Sequence, residues 1–227
     1  MVRQEEIRRF ICVLYAALLP GSVADLAAQV EAPSWRGSDG STYQEWQFLT
    51  NDNPAAAEFY SNTFGLASAS VSNGAFASGW LWDELFLGAA TGYWDLGQSG
   101  GMELTVPGYT GPTTNGIKEV RVQVVQWIDG AIYSLYAGVS IPDATLVSRT
   151  NRVFEQTGFG AWRVDDWLFQ VADETGPDLV NILGASTGTI IDIIVVDVLA
   201  VPEPMPVLVL VLSAGIMLLQ ARRLRHR

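Results

Sequence analysis

The fold class is decided by the stretch KEVRVQV at residues 118–124, in which valines alternate with charged and polar residues. Successive side chains of a β-strand point to opposite faces of the sheet, so the pattern predicts a strand with one apolar face and one wet face. Residues 190–198 are apolar at every position except Asp192 and Asp197. This second pattern predicts a central strand that is covered on both faces.

Similar short runs recur along the chain between turn signals, and the sequence also contains 22 Gly, 10 Pro and 8 Trp. This composition favours strands and turns over helices. The runs predict strands at 45–49, 75–82, 101–106, 117–127, 133–140, 145–149, 162–171, 179–183 and 189–199. Residues 53–60 predict a short helical turn, and residues 32–42 predict a linker. We expect an all-β domain at residues 29–200, a β-sandwich with jelly-roll topology.

Residues 1–28 have the layout of a signal peptide, with Arg3, Arg8 and Arg9 before an apolar run at 10–19. This run is shorter than the roughly 20 residues that cross a bilayer. Cleavage is expected after Ala24 or Ala28. The alternative is a buried N-terminal helix of the domain, because Glu5 and Glu6 reduce the positive charge of the segment.

The charge of the chain is concentrated in the expected body. The whole chain has a net charge of −11, and residues 25–200 carry six basic against 21 acidic residues, a net charge of about −15. Nucleic-acid binding depends on lysines and arginines that neutralise phosphates, so the body is not expected to bind nucleic acid. Cys12, the only cysteine, falls in the predicted signal peptide, which leaves the mature body without a disulfide.

Residues 201–227 form three successive parts: Pro202-Glu203-Pro204, an apolar run, and a basic end. The run predicts a single transmembrane helix at 205–221. The basic end consists of Arg222, Arg223, Arg225 and Arg227. Arginines after a membrane span remain in the cytoplasm, so the body is expected on the other side of the membrane. A plain tail anchor is the alternative, although it does not explain the Pro-Glu-Pro motif.

This three-part tail resembles the PEP-CTERM sorting signal of exported proteins in Gram-negative bacteria. The resemblance implies that an exosortase-type membrane protease recognises Pro202, Glu203 and Pro204 and removes the tail. It also implies a route from a single-pass inner-membrane form, with a cytoplasmic C-terminus, to the cell surface or extracellular matrix. The body is similar to planctomycete-type exported domains at 93–97, 162–169 and 191–197, a resemblance that brings no assigned chemistry.

The body offers few groups for catalysis, and we expect no enzyme and no cofactor. The only histidine, His226, lies in the tail, which excludes a histidine triad or histidine metal site from the body. A glycan hydrolase is the least favoured alternative, and it would need paired carboxylates such as Glu84 with Glu103, or Asp165 with Asp166.

Two binding hypotheses remain for the body. Trp80, Trp82, Tyr93 and Trp94 are candidates for stacking on sugar rings, which would make the domain a carbohydrate-binding module for matrix polysaccharide. Two tryptophans two residues apart are, however, also typical of core packing. Asp173, Glu174 and Asp178 are candidate Ca²⁺ ligands in a loop that also suits a plain turn.

Overall fold

The computed structural model describes residues 30–82, 92–108, 116–129, 137–156, 160–172, 176–184 and 189–200. This part of the chain is all-β and contains thirteen strands. They are β1 (Ser41–Trp46), β2 (Ala55–Ala56), β3 (Phe59–Ser61), β4 (Ser68–Ser72), β5 (Gly79–Trp82), β6 (Gly92–Asp95), β7 (Gly101–Val106), β8 (Ile117–Asp129), β9 (Gly138–Ser140), β10 (Thr145–Gln156), β11 (Gly160–Ala172), β12 (Asp178–Leu183) and β13 (Ile190–Ala200).

The strands form two antiparallel sheets that pack face to face. The large sheet has the order β10-β11-β8-β13-β1-β3, with β6 added beside β13 and β5 added beside β6. The small sheet has the order β2-β4-β7-β12-β9. Three strand pairs are nested in the sequence. The outermost pair is β1 with β13, which encloses β7 with β12, which in turn encloses β8 with β11.

The main core lies between the two sheets. The alternating valines of β8 point into it, as the sequence pattern predicts, and Val120, Val122 and Val124 are fully buried. Facing strands of the small sheet contribute Met102, Leu104, Val106, Val180 and Ile182. Burial of these apolar side chains is the main force that holds the sheets together.

A second apolar cluster covers part of the outer face of the large sheet. It contains Tyr93, Val125, Trp127, Trp162, Val164, Ile193 and Val195. The rings of Trp127 and Trp162 meet edge to face, with centroids 5.4 Å apart. The strand β13 contributes to both clusters, because its side chains alternate between the two faces of the sheet: Ile194 and Val196 belong to the main core, and Ile193 and Val195 belong to the second cluster. The prediction of a central strand that is covered on both faces is confirmed.

The strand predictions at 101–106, 117–127, 162–171, 179–183 and 189–199 are confirmed to within two residues at each end. The strand predicted at 145–149 extends to Gln156, and only the end of the one predicted at 133–140 lies among the described residues, as β9. The first strand begins at Ser41 rather than at residue 45, and β5 begins at Gly79 rather than at residue 75. The strands β4 and β6 were not predicted.

The helical turn predicted at 53–60 is wrong, because this segment contains β2 and β3 instead. Ala55 and Ala57 are small enough to be buried against the core, and β3 pairs with β1 at the edge of the large sheet. The Glu58 carboxylate accepts hydrogen bonds from the backbone N–H groups of Gln47 and Leu49, at 2.9 and 3.0 Å. These contacts with distant segments outweigh the helix propensity of three alanines.

The predicted signal peptide (1–28) and sorting tail (201–227) lie outside the described residues. Within the described ranges, no helix has the length and apolar character needed to cross a membrane.

Candidate functional site

The four candidate sugar-stacking residues lie in one hairpin, formed by β5 and β6, in which Trp80 is the pairing partner of Trp94. Tyr93 and Trp94 are buried on opposite faces of β6, one in each apolar cluster. Trp80 is half-buried, and its Nε1 donates to the carbonyl oxygen of Phe48 at 3.0 Å. Trp82 is 50% exposed. Of the four rings, that of Trp82 is the one with a large surface open to a ligand.

The two neighbouring carboxylates on β11 point to opposite faces of the large sheet and therefore do not face each other. Asp165 lies opposite Asn151 and is fully buried on the face that meets the small sheet. Asp166 lies on the outer face, where it pairs with Arg121 at 2.5 Å. Glu103 is exposed on β7, while Glu84 is outside the described residues.

Asp165 is the centre of a buried polar cluster at one end of the core. Its carboxylate accepts hydrogen bonds from Arg149 Nη2 at 3.1 Å, Arg163 Nε at 2.6 Å and Gln126 Nε2 at 2.7 Å. The guanidinium of Arg149 also lies over the ring of Trp167, 5.0 Å from its centroid. Buried charges require such partners, so this arrangement explains how a carboxylate is tolerated inside the sandwich.

A second buried ion pair lies at the start of β8 and β12. Lys118 Nζ is 2.7 Å from Asp178 Oδ1, and the two side chains are 2% and 4% exposed. The pair lines a cavity of about 210 Å³, whose other lining residues are Ile141, Pro142, Asp143, Val171, Ala172, Gly176, Pro177 and Leu179. The pair is therefore buried and also borders a cavity.

This ion pair bears on the Ca²⁺ hypothesis, because Asp178 is one of the three candidate ligands. Its Oδ1 is engaged by the lysine, and Asp173 and Glu174 lie outside the described residues. Within the described part of the chain, no three histidine, cysteine or acidic side chains come together as a metal-binding group.

The predicted linker at 32–42 is wrong in part, because its last residues belong to β1 and the segment from Val30 to Gly40 lies on the outer face of the large sheet. The Glu31 N–H donates to Gln123 Oε1 at 3.0 Å, and Gln123 Nε2 donates back to the Glu31 carbonyl at 2.8 Å. Arg121 Nη1 donates to the same carbonyl at 2.8 Å. The expected wet face of β8 is therefore covered here, and Gln123 is only 1% exposed.

Arg36 fastens the same segment to β13. Its guanidinium donates two hydrogen bonds to Asp197, at 2.6 and 2.7 Å, and lies 4.1 Å from the centroid of the Tyr43 ring. Burial raises the pKa of Asp197, while the hydrogen bonds and charge of Arg36 act in the opposite direction. Burial also raises the pKa of Tyr43, whose hydroxyl donates to the Glu45 carboxylate.

Lys118, Arg36 and Asp197 have no role that the sequence alone predicts. The signal for the last of these was present, since a charged residue within an apolar run at 190–198 must find a partner when the strand is central. The sequence alone does not predict that this partner is Arg36.

The chain matches no protein-family model, and neither a curated protein nor a solved structure is significantly similar to it.

Proposed function

We propose that this chain is an exported, non-catalytic protein that an exosortase-type membrane protease sorts to the cell surface or extracellular matrix. The observation that carries the proposal is the order of parts in residues 201–227: Pro202-Glu203-Pro204, an apolar run and an arginine-rich end. Two prolines around one residue disfavour helix and hold an extended segment that a protease can bind. The helix then anchors this segment in the membrane until it is cut.

The position of the motif relative to the folded body supports this proposal. The central strand β13 ends at Ala200, whose N–H donates to the carbonyl oxygen of Gly40 at 3.1 Å. The Pro-Glu-Pro motif begins two residues later. Cleavage within or after the motif would therefore leave every pair of the large sheet intact, so the body could be released in its folded form.

The buried carboxylates of the body support a non-catalytic role. Asp165, Asp178 and Asp197 each form hydrogen bonds with a basic side chain inside the fold. A general acid or nucleophile must instead meet a substrate in an open cleft.

A jelly-roll topology is the finer fold that we propose for the body. The strand order β1-β13-β8-β11 in the large sheet and β7-β12-β9 in the small sheet arises when nested antiparallel pairs wrap around a core. The strand β10 departs from the ideal pattern, because it extends the large sheet beside β11 and does not join the small sheet beside β9.

The sorting proposal is tested by the intact mass of the protein from membrane and surface fractions of its native host. We expect a surface form that begins near residue 25 or 29 and ends close to Pro202. Glu203→Ala and Pro204→Ala should retain the tail and accumulate in the membrane, whereas Pro206→Ala, a proline just outside the motif, should be processed normally. A surface form that still ends at Arg227 would refute the proposal.

Carbohydrate binding is the second candidate, and the half-exposed ring of Trp82 favours it. A flat apolar ring at the surface complements the C–H face of a pyranose. If this is the role of the body, Trp82→Ala should abolish retention of the protein on polysaccharide isolated from the host matrix. Leu81→Ala, a neighbouring change at a residue that is 37% exposed, should have little effect. Equal retention of both variants would exclude a role for Trp82.

A further inference from the structure

The ion pair between Lys118 and Asp178 joins the two sheets of the body directly. Lys118 lies at the start of β8 in the large sheet, and Asp178 is the first residue of β12 in the small sheet. The distance of 2.7 Å between Nζ and Oδ1 places the amine nitrogen next to the carboxyl group. Lys118 is the only lysine of the chain, and the other 12 of its 13 lysine and arginine residues are arginines.

The choice of lysine at this site is informative. All other basic residues are arginines, and arginine is also the side chain that best suits a buried ion pair, because its planar guanidinium donates several hydrogen bonds. A lysine amine differs in that it can lose its proton and then act as a nucleophile. The chain thus places its one side chain with a nucleophilic amine against a buried carboxyl group.

The surroundings favour a neutral product over the ion pair. The side chains are only 2% and 4% exposed, so both charges have lost most of their contact with water. Removing two charges from water is costly, and an amide carries no charge. The backbone is also close, since a Cβ atom on Gly108 would lie 3.8 Å from Lys118 Nζ and 2.1 Å from the carbonyl oxygen of Gly176. This tight packing holds the two reacting groups together, which raises the rate of an intramolecular step.

We propose that Lys118 and Asp178 condense to form an amide cross-link between the two sheets. A proton passes from the ammonium to the carboxylate, which gives a neutral amine and a carboxylic acid. The amine lone pair attacks Cγ of Asp178 and forms the Nζ–Cγ bond. A proton passes from the nitrogen to the hydroxyl oxygen, the C–O bond breaks, and that oxygen leaves as one water molecule. No oxidant, reductant or other reactant is required.

A cavity beside the pair gives the released water a route out of the site. Lys118 and Asp178 both line it, so the released water can leave through it. Asp143 lines the same cavity, and its side chain is exposed.

The cross-link would close a long loop. Lys118 and Asp178 are 60 residues apart in sequence, and the bond would tie β8 to β12 at one end of the core. A covalent closure of this kind stabilises a fold mainly by restricting the unfolded chain. Disulfide chemistry is not open to the body, since the one cysteine of the chain is Cys12.

The test is the intact mass of the protein purified from its host and measured in denaturant. The folded wild-type protein should be lighter than its processed sequence by the mass of one water molecule, and fragmentation should place the junction at Lys118 and Asp178. Lys118→Arg keeps the positive charge but has no amine, so it should have the full mass. Asp178→Ala should also have the full mass, whether or not either variant folds as stably as the wild type.

The Lys118→Arg variant also separates the cross-link from another source of water loss. Cyclisation at the Asp39-Gly40 or Asp129-Gly130 steps would remove water too, but it would persist in Lys118→Arg. A second measurement uses an amine-acylating reagent on the denatured protein, where a cross-linked Lys118 should not react. A folded wild-type protein that keeps its full mass after prolonged incubation, or a reactive Lys118 in denaturant, would overturn the proposal.

Discussion

Arg36 holds the carboxylate of Asp197 with two hydrogen bonds, one from Nε to Oδ1 at 2.6 Å and one from Nη2 to Oδ2 at 2.7 Å. Asp197 is fully buried in the central strand β13, whereas the Arg36 side chain is 24% exposed. Arg36 belongs to the segment before β1, so this contact links the N-terminal part of the body to the middle of the large sheet. The segment is therefore part of the folded domain.

Arg36→Ala should destabilise the body by about 3 kcal/mol, because it leaves the Asp197 carboxylate buried without its guanidinium. The measurement is the free energy of unfolding in urea. Arg152→Ala is the matched control, since its contact with Glu31 is 3.6 Å long and joins side chains that are 50% and 71% exposed. That variant should lose less than about 1 kcal/mol. Equal losses in the two variants would contradict the role of Arg36.

The cost of Arg36→Ala should also depend on pH. Burial raises the pKa of Asp197 above its ordinary value of 3.8, and Arg36 opposes this shift, so the variant should have a still higher pKa in the folded state. A raised carboxyl pKa means that the folded state binds the proton more tightly, so stability falls as pH rises from 3.8 through the folded value. The penalty should therefore be smaller near pH 4 than near pH 7. A penalty that grows on acidification would contradict this assignment.

Tyr43 should make the fold sensitive to alkaline pH. Burial and the hydrogen bond to Glu45 raise its pKa above the ordinary value of 10.0. The folded state then retains the phenol proton at a pH where the unfolded state has lost it, so stability falls as pH rises above about 10. Tyr43→Phe should show a shallower alkaline decline in the free energy of unfolding than the wild type. Parallel curves for the two proteins would rule out this contribution.

The polar cluster around Asp165 should be needed for stability. Asp165→Asn preserves the volume of the side chain but removes the charge that two arginines and Gln126 share, so we expect a loss of about 3 kcal/mol. Asp39→Asn removes the same charge from an exposed turn and should change stability by less than about 0.5 kcal/mol. Urea unfolding of the two variants measures the difference. A near-neutral Asp165→Asn would mean that the arginines find other partners.

Periodicity in the sequence was sufficient to predict the centre of the fold. The alternation in 118–124 and the apolar run in 190–198 reflect burial directly, so the apolar face of β8 and the burial of β13 on both faces were predicted. The strand β4 has the sequence SASVS, in which small polar residues give no apolar alternation, although Ala69 is fully buried. Its place depends on pairing with β7, a long-range contact that local sequence does not encode.

The charged sites were less accessible to sequence reasoning, for a physical reason. A buried ion pair is formed by residues far apart in the chain, and Arg36 and Asp197 are separated by 161 positions. Sequence can indicate that a charge within an apolar run needs a partner, but the fold determines which residue supplies it. The burial of part of the β8 outer face was unpredictable for the same reason. Gln123 is covered by the backbone at Glu31, which is 92 residues away and leaves no sign in the sequence pattern of β8.

Two glycines offer a matched test of close backbone packing. A Cβ atom on Gly74 would lie 1.9 Å from the carbonyl oxygen of Gln98, whereas one on Gly138 in β9 would meet no heavy atom within 4 Å. Gly74→Ala should therefore force the backbone apart where residue 75 bridges to residue 98, at a cost of about 2 kcal/mol or more.

Gly138→Ala should be neutral or slightly stabilising, because alanine restricts the unfolded chain and finds open space in the folded one. Thermal unfolding of the two variants, compared with the wild type, measures both effects. Because both changes add the same single methyl group, a difference between them reports the local packing and not the composition of the chain. A Gly74→Ala variant as stable as Gly138→Ala would show that the two backbone segments can separate without cost.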